Sequence, residues 1–170
     1  MEQTITSSNT KGIVISLILI VLALVTYFLN MNTTSALQYV SYLIFIGGII
    51  WSVNMYGKQI DHNSTFGNYF AHGFKVAAVV TVIMIIYIVI FIYLFPDVKD
   101  KAVDASRKSM ESKGQLTQDQ INTGLDITRR FFMAFAIGGT LVGYLIFGAI
   151  ASLIGAGITK KNPQPIEIDR

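Results

Sequence analysis

At 170 residues the chain has room for one domain, and its 52% apolar and 14% charged residues set it apart from soluble domains, in which about a quarter of residues are charged. A net charge of +3, with the bases gathered at the ends of apolar runs, fits orientation in a membrane rather than nucleic-acid binding. The absence of Cys removes disulfides, thiolate metal sites and cysteine nucleophiles together.

Taken in chain order, residues 1–11 are polar and read as a solvated tail. Residues 12–29 carry no charge and span about 27 Å as a helix, one hydrocarbon core. A cleaved signal peptide competes for this stretch, with Lys11 as its basic flank and Thr34-Ser35-Ala36 as its cleavage site. The apolar run exceeds the about 7 to 15 residues of a signal core, so a first membrane span is the preferred reading. After an uncharged polar turn at 30–36, residues 37–56 form the second span and close an antiparallel hairpin with the first. Tyr39 and Tyr42 at one end, and Trp51 and Tyr56 at the other, suit the two aromatic belts of a bilayer. Ser41, Gly48 and Ser52 line one stripe of small residues on which a second helix packs closely.

The connection at 65–75 mixes aromatics, glycines and a histidine. Phe66, Phe70 and Phe74 recur at helical spacing, which predicts a short amphipathic helix in the interface before the third span at 74–95. Gly67 and Gly73 weaken that helix, and close backbone contact or a bend into the span is the reason to tolerate them. Pro96 then stops or restarts the helix. Residues 97–130 form an extramembrane excursion. Asp97 with Lys101, Asp104 with Lys108, and Arg107 with Glu111 are opposite charges four apart, which supports a solvated helix ending near Gly114. Thr117 and Gln120 make a capping box, with Leu116 and Ile121 as a hydrophobic staple. From there the pattern predicts one unbroken helix into the fourth span at 131–158, with the charged helix folded back on it. In that span Gly139 and Gly143 form a GxxxG, Ala134 and Gly138 extend it, and Gly148, Ser152 and Ala156 repeat the theme one face over. Packing within the bundle is the first explanation and dimerisation the second. Residues 159–170 are a polar tail.

The expected fold is therefore all-α: an integral membrane four-helix bundle of two helical hairpins in a single domain. Lys11, Lys58, Lys75, Lys160, Lys161 and Arg170 fall on one side of it. The first loop on the other side has no base, although Arg129 and Arg130 abut the fourth span there, and the balance favours both termini in the cytoplasm.

Asp61, His62 and His72 are the only residues resembling a metal cluster. The histidines are not four apart, and a catalytic zinc needs three protein ligands, so no metal is expected. With the spans bounded as above, none holds an Asp, Glu, Lys, Arg or His, the residues that mark transport pathways. Gly-rich phosphate loops are missing as well. The expectation is a non-enzymatic membrane protein without cofactor, acting as an accessory, scaffold or assembly subunit. Its partners would be the lipid bilayer and a membrane protein or a second copy of itself, with no nucleic acid. The contact candidates are Gly48, Ser52, Phe66, Gly67, Phe70, Gly73, Phe74, Gly139, Gly143 and Gly148. The alternative is a small transporter or channel lined by Ser41, Ser52, Thr81 and Thr140.

Three stretches carry a resemblance. Thr65-Phe66-Gly67 with Phe70 and Gly73-Phe74, then Phe95-Pro96-Asp97, then residues 150–161 closing on Lys160-Lys161, resemble the domain-of-unknown-function forty-one ninety-nine family, small bacterial inner-membrane proteins of Bacteroidota type. The resemblance implies a four-span protein of the cytoplasmic membrane, and it transfers no functional residues.

Overall fold

A computed structural model describes residues 5–29, 35–112, 114 and 116–162; residues 30–34 of the expected first turn and 163–170 of the tail lie outside the described residues. The described residues form the helices α1 (Ser8–Phe28), α2 (Ser35–Gln59), α3 (Phe66–Leu94), α4 (Asp97–Ser112), α5 (Gln118–Arg130) and α6 (Phe132–Ile158). Of these, α1, α2, α3 and α6 are long and apolar enough to cross a membrane, in keeping with the helical bundle expected from hydropathy. The chain divides into two compact units, Met1–Met84 with Val142–Arg170, and Ile85–Leu141.

The first unit is built inside out relative to a soluble bundle. Along α1, Lys11, Gly12, Ile15, Ser16 and Leu19 are buried, whereas Ile13, Val14, Leu17, Ile18 and Val21 are exposed. These sets alternate at helical period, so the outward face is wholly aliphatic and the inward face mixes the small or polar Lys11, Gly12 and Ser16 with Ile15 and Leu19. α1 packs on α2. Small residues set how closely the helices approach: a Cβ at Gly12 would lie 2.7 Å from Val79 Cγ1, one at Gly73 2.8 Å from Ser152 Oγ, and one at Gly148 2.5 Å from Ala77 Cβ. Three buried hydroxyls are satisfied within their own helices, Ser16 donating to the Gly12 carbonyl at 2.8 Å, Thr81 to Ala77 at 2.8 Å and Ser152 to Gly148 at 2.6 Å.

Contacts of Gly12 with Val79, Gly73 with Val53 and Ser152, and Gly57 with Thr159 fix the directions. The start of α1 and of α3 and the end of α2 and of α6 meet at one end of the unit. There the loop between α2 and α3 is hooked onto the exit of α6. The Asn162 N–H donates to the His62 carbonyl at 2.8 Å, and His62 Nδ1 lies 3.2 Å from the Lys160 carbonyl. Asp61 and His62 hold φ of 50° and 59° to make that turn, a left-handed conformation uncommon for residues with a Cβ.

Two helix boundaries differ from the sequence expectation. α1 begins at Ser8, capped by the Ser7 hydroxyl, which accepts the Thr10 N–H at 3.2 Å. This earlier start places Lys11 inside the helix. The expected separate interfacial helix is instead the opening of α3, which runs from Phe66 to Leu94 without interruption. The reason lies in the packing of its phenyl face. Phe70 packs on the buried cluster of Val53, Tyr69 and Ala156 and stacks on Phe74 at 5.8 Å, so two of the three phenyls are engaged in the bundle while Phe66 stays exposed, and the helix continues through Gly73.

In the second unit, α4 and α5 form a hairpin closed by Val103, Ile121 and Leu125, with Met110 packed against them. The charge pairs read from sequence include Lys101 with Asp97 at 2.8 Å and Arg107 with Glu111 at 3.7 Å, and Gly114 follows α4 with φ of 61°. The Thr117–Gln120 capping box is formed. The helix expected to run unbroken into the fourth span is interrupted at Phe131, whose φ of −105° and ψ of 17° separate α5 from α6. Helical hydrogen bonds persist on both sides, Phe131 N–H to Ile127 at 3.0 Å and Phe135 N–H to Phe131 at 2.9 Å. The break is thus confined to a single residue, with the Arg130 guanidinium 5.6 Å over the Phe131 ring.

The close contact at Gly148 yields a test. Gly148→Leu should destabilise the protein in detergent micelles by about 1 to 3 kcal/mol, because Ala77 leaves no room for the added carbons. Thermal unfolding followed by helical circular dichroism measures it, and an unchanged midpoint would contradict the packing described.

Candidate functional site

The buried faces of α1, α2 and α3 meet around an amine and an imidazole. Lys11 is 3% exposed and His72 8% exposed, both within helices long and apolar enough to span a membrane. Lys11 Nζ donates to the Ser52 carbonyl at 3.3 Å and to Gln59 Oε1 at 3.4 Å, and lies 3.5 Å from His72 Nε2. An ammonium has three donors and no acceptor, and these neighbours are its acceptors. Two of them, the Ser52 carbonyl and the Gln59 side chain, belong to the C-terminal part of α2. Burying an uncompensated charge costs several kcal/mol, and this set of acceptors is what offsets that cost.

His72 is held on all sides. Tyr56 stacks on the imidazole with ring centroids 4.1 Å apart and planes 5° from parallel, and the Lys11 amine lies 5.8 Å from the centre of the same Tyr56 ring. Nδ1 is 3.1 Å from Ser8 Oγ, and Nε2 is also 3.4 Å from Ser52 Oγ. Because the ammonium only donates, Nε2 must offer its lone pair, which puts the imidazole proton on Nδ1 for donation to Ser8. Gln59 completes the cluster by clamping the chain ahead of α1: its Oε1 accepts the Thr6 N–H at 3.2 Å and its Nε2 donates to Thr6 Oγ1 at 3.1 Å.

The cluster corrects the expectation that no membrane-spanning helix holds an ionisable residue. That expectation rested on starting the first span at Gly12 and the third at Phe74. A signal was present in the sequence: Lys11, Ile15 and Leu19, like His72, Val76 and Val80, recur every four residues and continue a buried stripe backward through a polar residue. Tyr56, read as an interfacial aromatic, is turned inward onto His72. Trp51 and Tyr39 remain exposed.

Of the contact candidates, Ser52 lies in the cluster, fully buried, and Gly73 follows His72 against Val53 and Ser152. A Cβ added at Gly48 would lie 3.1 Å from Ile15, and one added at Gly148 would run into Ala77. Phe70 and Phe74 stack on each other, and Phe66 is exposed with Lys161 Nζ 5.8 Å from its ring. At Gly67, Gly139 and Gly143 an added Cβ would meet nothing within 4 Å. His62 and His72 engage different partners, and among the described residues no group of three or more His, Cys, Asp or Glu is placed to hold a metal ion.

Removing the imidazole takes from the ammonium one of its three acceptors, the one on α3. His72→Ala should lower stability in micelles by about 1.5 to 3 kcal/mol. Adding Lys11→Met should recover part of that loss, because no buried charge is then left without its acceptor. Unfolding midpoints of the single and double variants check this, and losses that simply add would contradict the coupling.

No characterised protein and no solved structure matches the chain. A family model does match, over residues 10–161, a region that holds all six helices except the first residues of α1. The chain belongs to the family described as Protein of unknown function (DUF4199).

Proposed function

We propose that this protein is a non-enzymatic component of a bacterial cytoplasmic membrane that works by contact, as an accessory, scaffold or assembly subunit. The observation that carries the reading lies on α6. Its glycines fall into two classes. Gly148 and Gly155 are closed over by Ala77 and Val53, whereas an added Cβ at Gly138, Gly139, Gly143 or, at the helix end, Gly157 would meet no heavy atom within 4 Å among the described residues. The neighbouring Leu141, Val142 and Ile146 are exposed as well. Small residues left uncovered among the described residues suit the close approach of another transmembrane helix. The polar cluster supports the same reading, since its donors and acceptors face one another and so tie α1, α2 and α3 together.

Orientation follows from charge. Lys58, Lys75, Lys160 and Lys161 are exposed around the end where α2 finishes, α3 begins and α6 exits, which supports a cytoplasmic placement of that end and of both termini. The second reading, a small transporter or channel, draws on Lys11 and His72, because buried ionisable residues in membrane helices mark many pathways. Against it, Thr81 and Ser52, two of the hydroxyls that would line a pore, are buried in helix contacts.

Cross-linking in native membranes should capture a dimer or a recurrent membrane-protein partner. Gly143→Leu should weaken that capture while leaving the unfolding midpoint within about 0.5 kcal/mol of the parent. A strictly monomeric protein that carries solute across liposomes would replace this reading with the transporter. For orientation, a reporter that is active only in the cytoplasm and is fused after Arg170 should be active; silence there, with activity of an exported reporter, would reverse it.

A further inference from the structure

Beyond the contact role, we infer that Lys11 and His72 form a protonation-sensitive latch between the start of α3 and the pair α1 and α2. The inference rests on the hydrogen-bonding roles that the geometry imposes. Lys11 Nζ draws acceptors from α2, the Ser52 carbonyl and Gln59 Oε1, but its acceptor on α3 is His72 Nε2. That nitrogen also faces Ser52 Oγ at 3.4 Å, so the same lone pair serves both α1 and α2. A proton placed on Nε2 turns the acceptor into a donor. It then opposes the ammonium, and two cations stand 3.5 Å apart in a buried site, where their repulsion is screened far less than in water.

Among the described residues, the charged groups that bear on the imidazole are Lys11 and Lys75, and neither is an anion. On α1 the group facing the imidazole is Lys11, on α2 the stacked Tyr56, and on α3 itself Lys75 is the further charged group bearing on it. Tyr69, one turn before His72, is fully buried and faces Tyr56 edge-on at 6.1 Å. α6 packs on α3 beside His72 through Ser152 at Gly73, which carries no charge. The Tyr56 ring favours a cation above it but supplies no acceptor in the ring plane where Nε2 needs one. With the imidazole neutral, the acceptor is in place and the latch is closed. As pH falls and the imidazole takes up its second proton, the latch opens. Lys11 keeps its bonds to α2, so the separation falls between α3 and the other two helices.

The chain has no cysteine, so spin labels can be placed without background. Asn9→Cys on α1 and Asn68→Cys on α3 are exposed positions near the latch. Pulsed electron-spin distance measurements on the full chain in nanodiscs, in steps from about pH 8 to about pH 3.5, bracket the ordinary histidine range generously. The expected result is one narrow distance at high pH and a growing second, longer-distance population as pH falls. In His72→Gln, which keeps polar groups but does not titrate, the narrow distance should persist throughout. In Lys11→Met, with His72 intact but its cationic neighbour gone, the second population should shrink. An unchanged distance in the parent protein across the series overturns the latch. So does a shift of equal size in either variant.

Discussion

An ammonium placed inside an apolar bundle must find its acceptors within the bundle, and in this chain that requirement joins three helices at one point. Lys11 takes the Ser52 carbonyl and Gln59 from α2 and the imidazole of His72 from α3. Since each turn of helix advances about 5.4 Å, sliding α1 by one turn would carry the amine beyond all of these partners. Aliphatic packing has no such sharp dependence, because one leucine-lined groove resembles the next. The polar cluster therefore sets register, and the glycines set distance: Gly12 against Val79, Gly48 against Ile15, Gly73 against Ser152 and Gly148 against Ala77.

The same end of the first unit carries its tightest connection. Asp61 and His62 adopt left-handed backbone angles, a conformation that costs roughly 1 to 2 kcal/mol per residue with a side chain. What holds them is reciprocal bonding to the residues after α6, through Asn162 N–H and the Lys160 carbonyl, together with Gly57, which leaves space for Thr159. The exit of α6 is thereby tied to the junction of α2 and α3, close in sequence to Gln59 and the amine it receives. Register in α1 and the path of the α2–α3 loop are fixed by neighbouring residues of one helix end.

Much of this was legible in the sequence, and the part that was not has a definite cause. Long uncharged runs gave the four membrane helices, the capping box gave the start of α5, and the glycine at 114 gave the end of α4. Hydropathy failed where a helix continues past its apolar stretch. It cut α1 at Lys11 and α3 at Phe74, treating a lysine and a histidine as solvent-facing because their usual environment is water. Only the position of α2 and α3 shows that each has partners, and a single chain read linearly holds no sign of which carbonyl or ring lies opposite. Phe131 was missed for a related reason: apolar periodicity carries through it undisturbed, and its departure from helical ψ is a property of the backbone alone.

α6 shows the same ambiguity in its simplest form. Its glycines are identical in kind and nearly regular in spacing, yet Gly148 and Gly155 are pressed against Ala77 and Val53 while Gly139 and Gly143 face open space. In lipid there is no hydrophobic force to draw helices together, so contact depends on how closely backbones approach and on polar bonds between them. In this bundle the Lys11–His72 cluster joins α1, α2 and α3 by polar bonds, and α6 meets them by close approach at its C-terminal half and by the hook at its exit. A helix held in that way needs nothing from its remaining glycines for its own folding. On the contact reading, that independence is what allows a partner to be gained or lost at Gly143 without disturbing the cluster around Lys11.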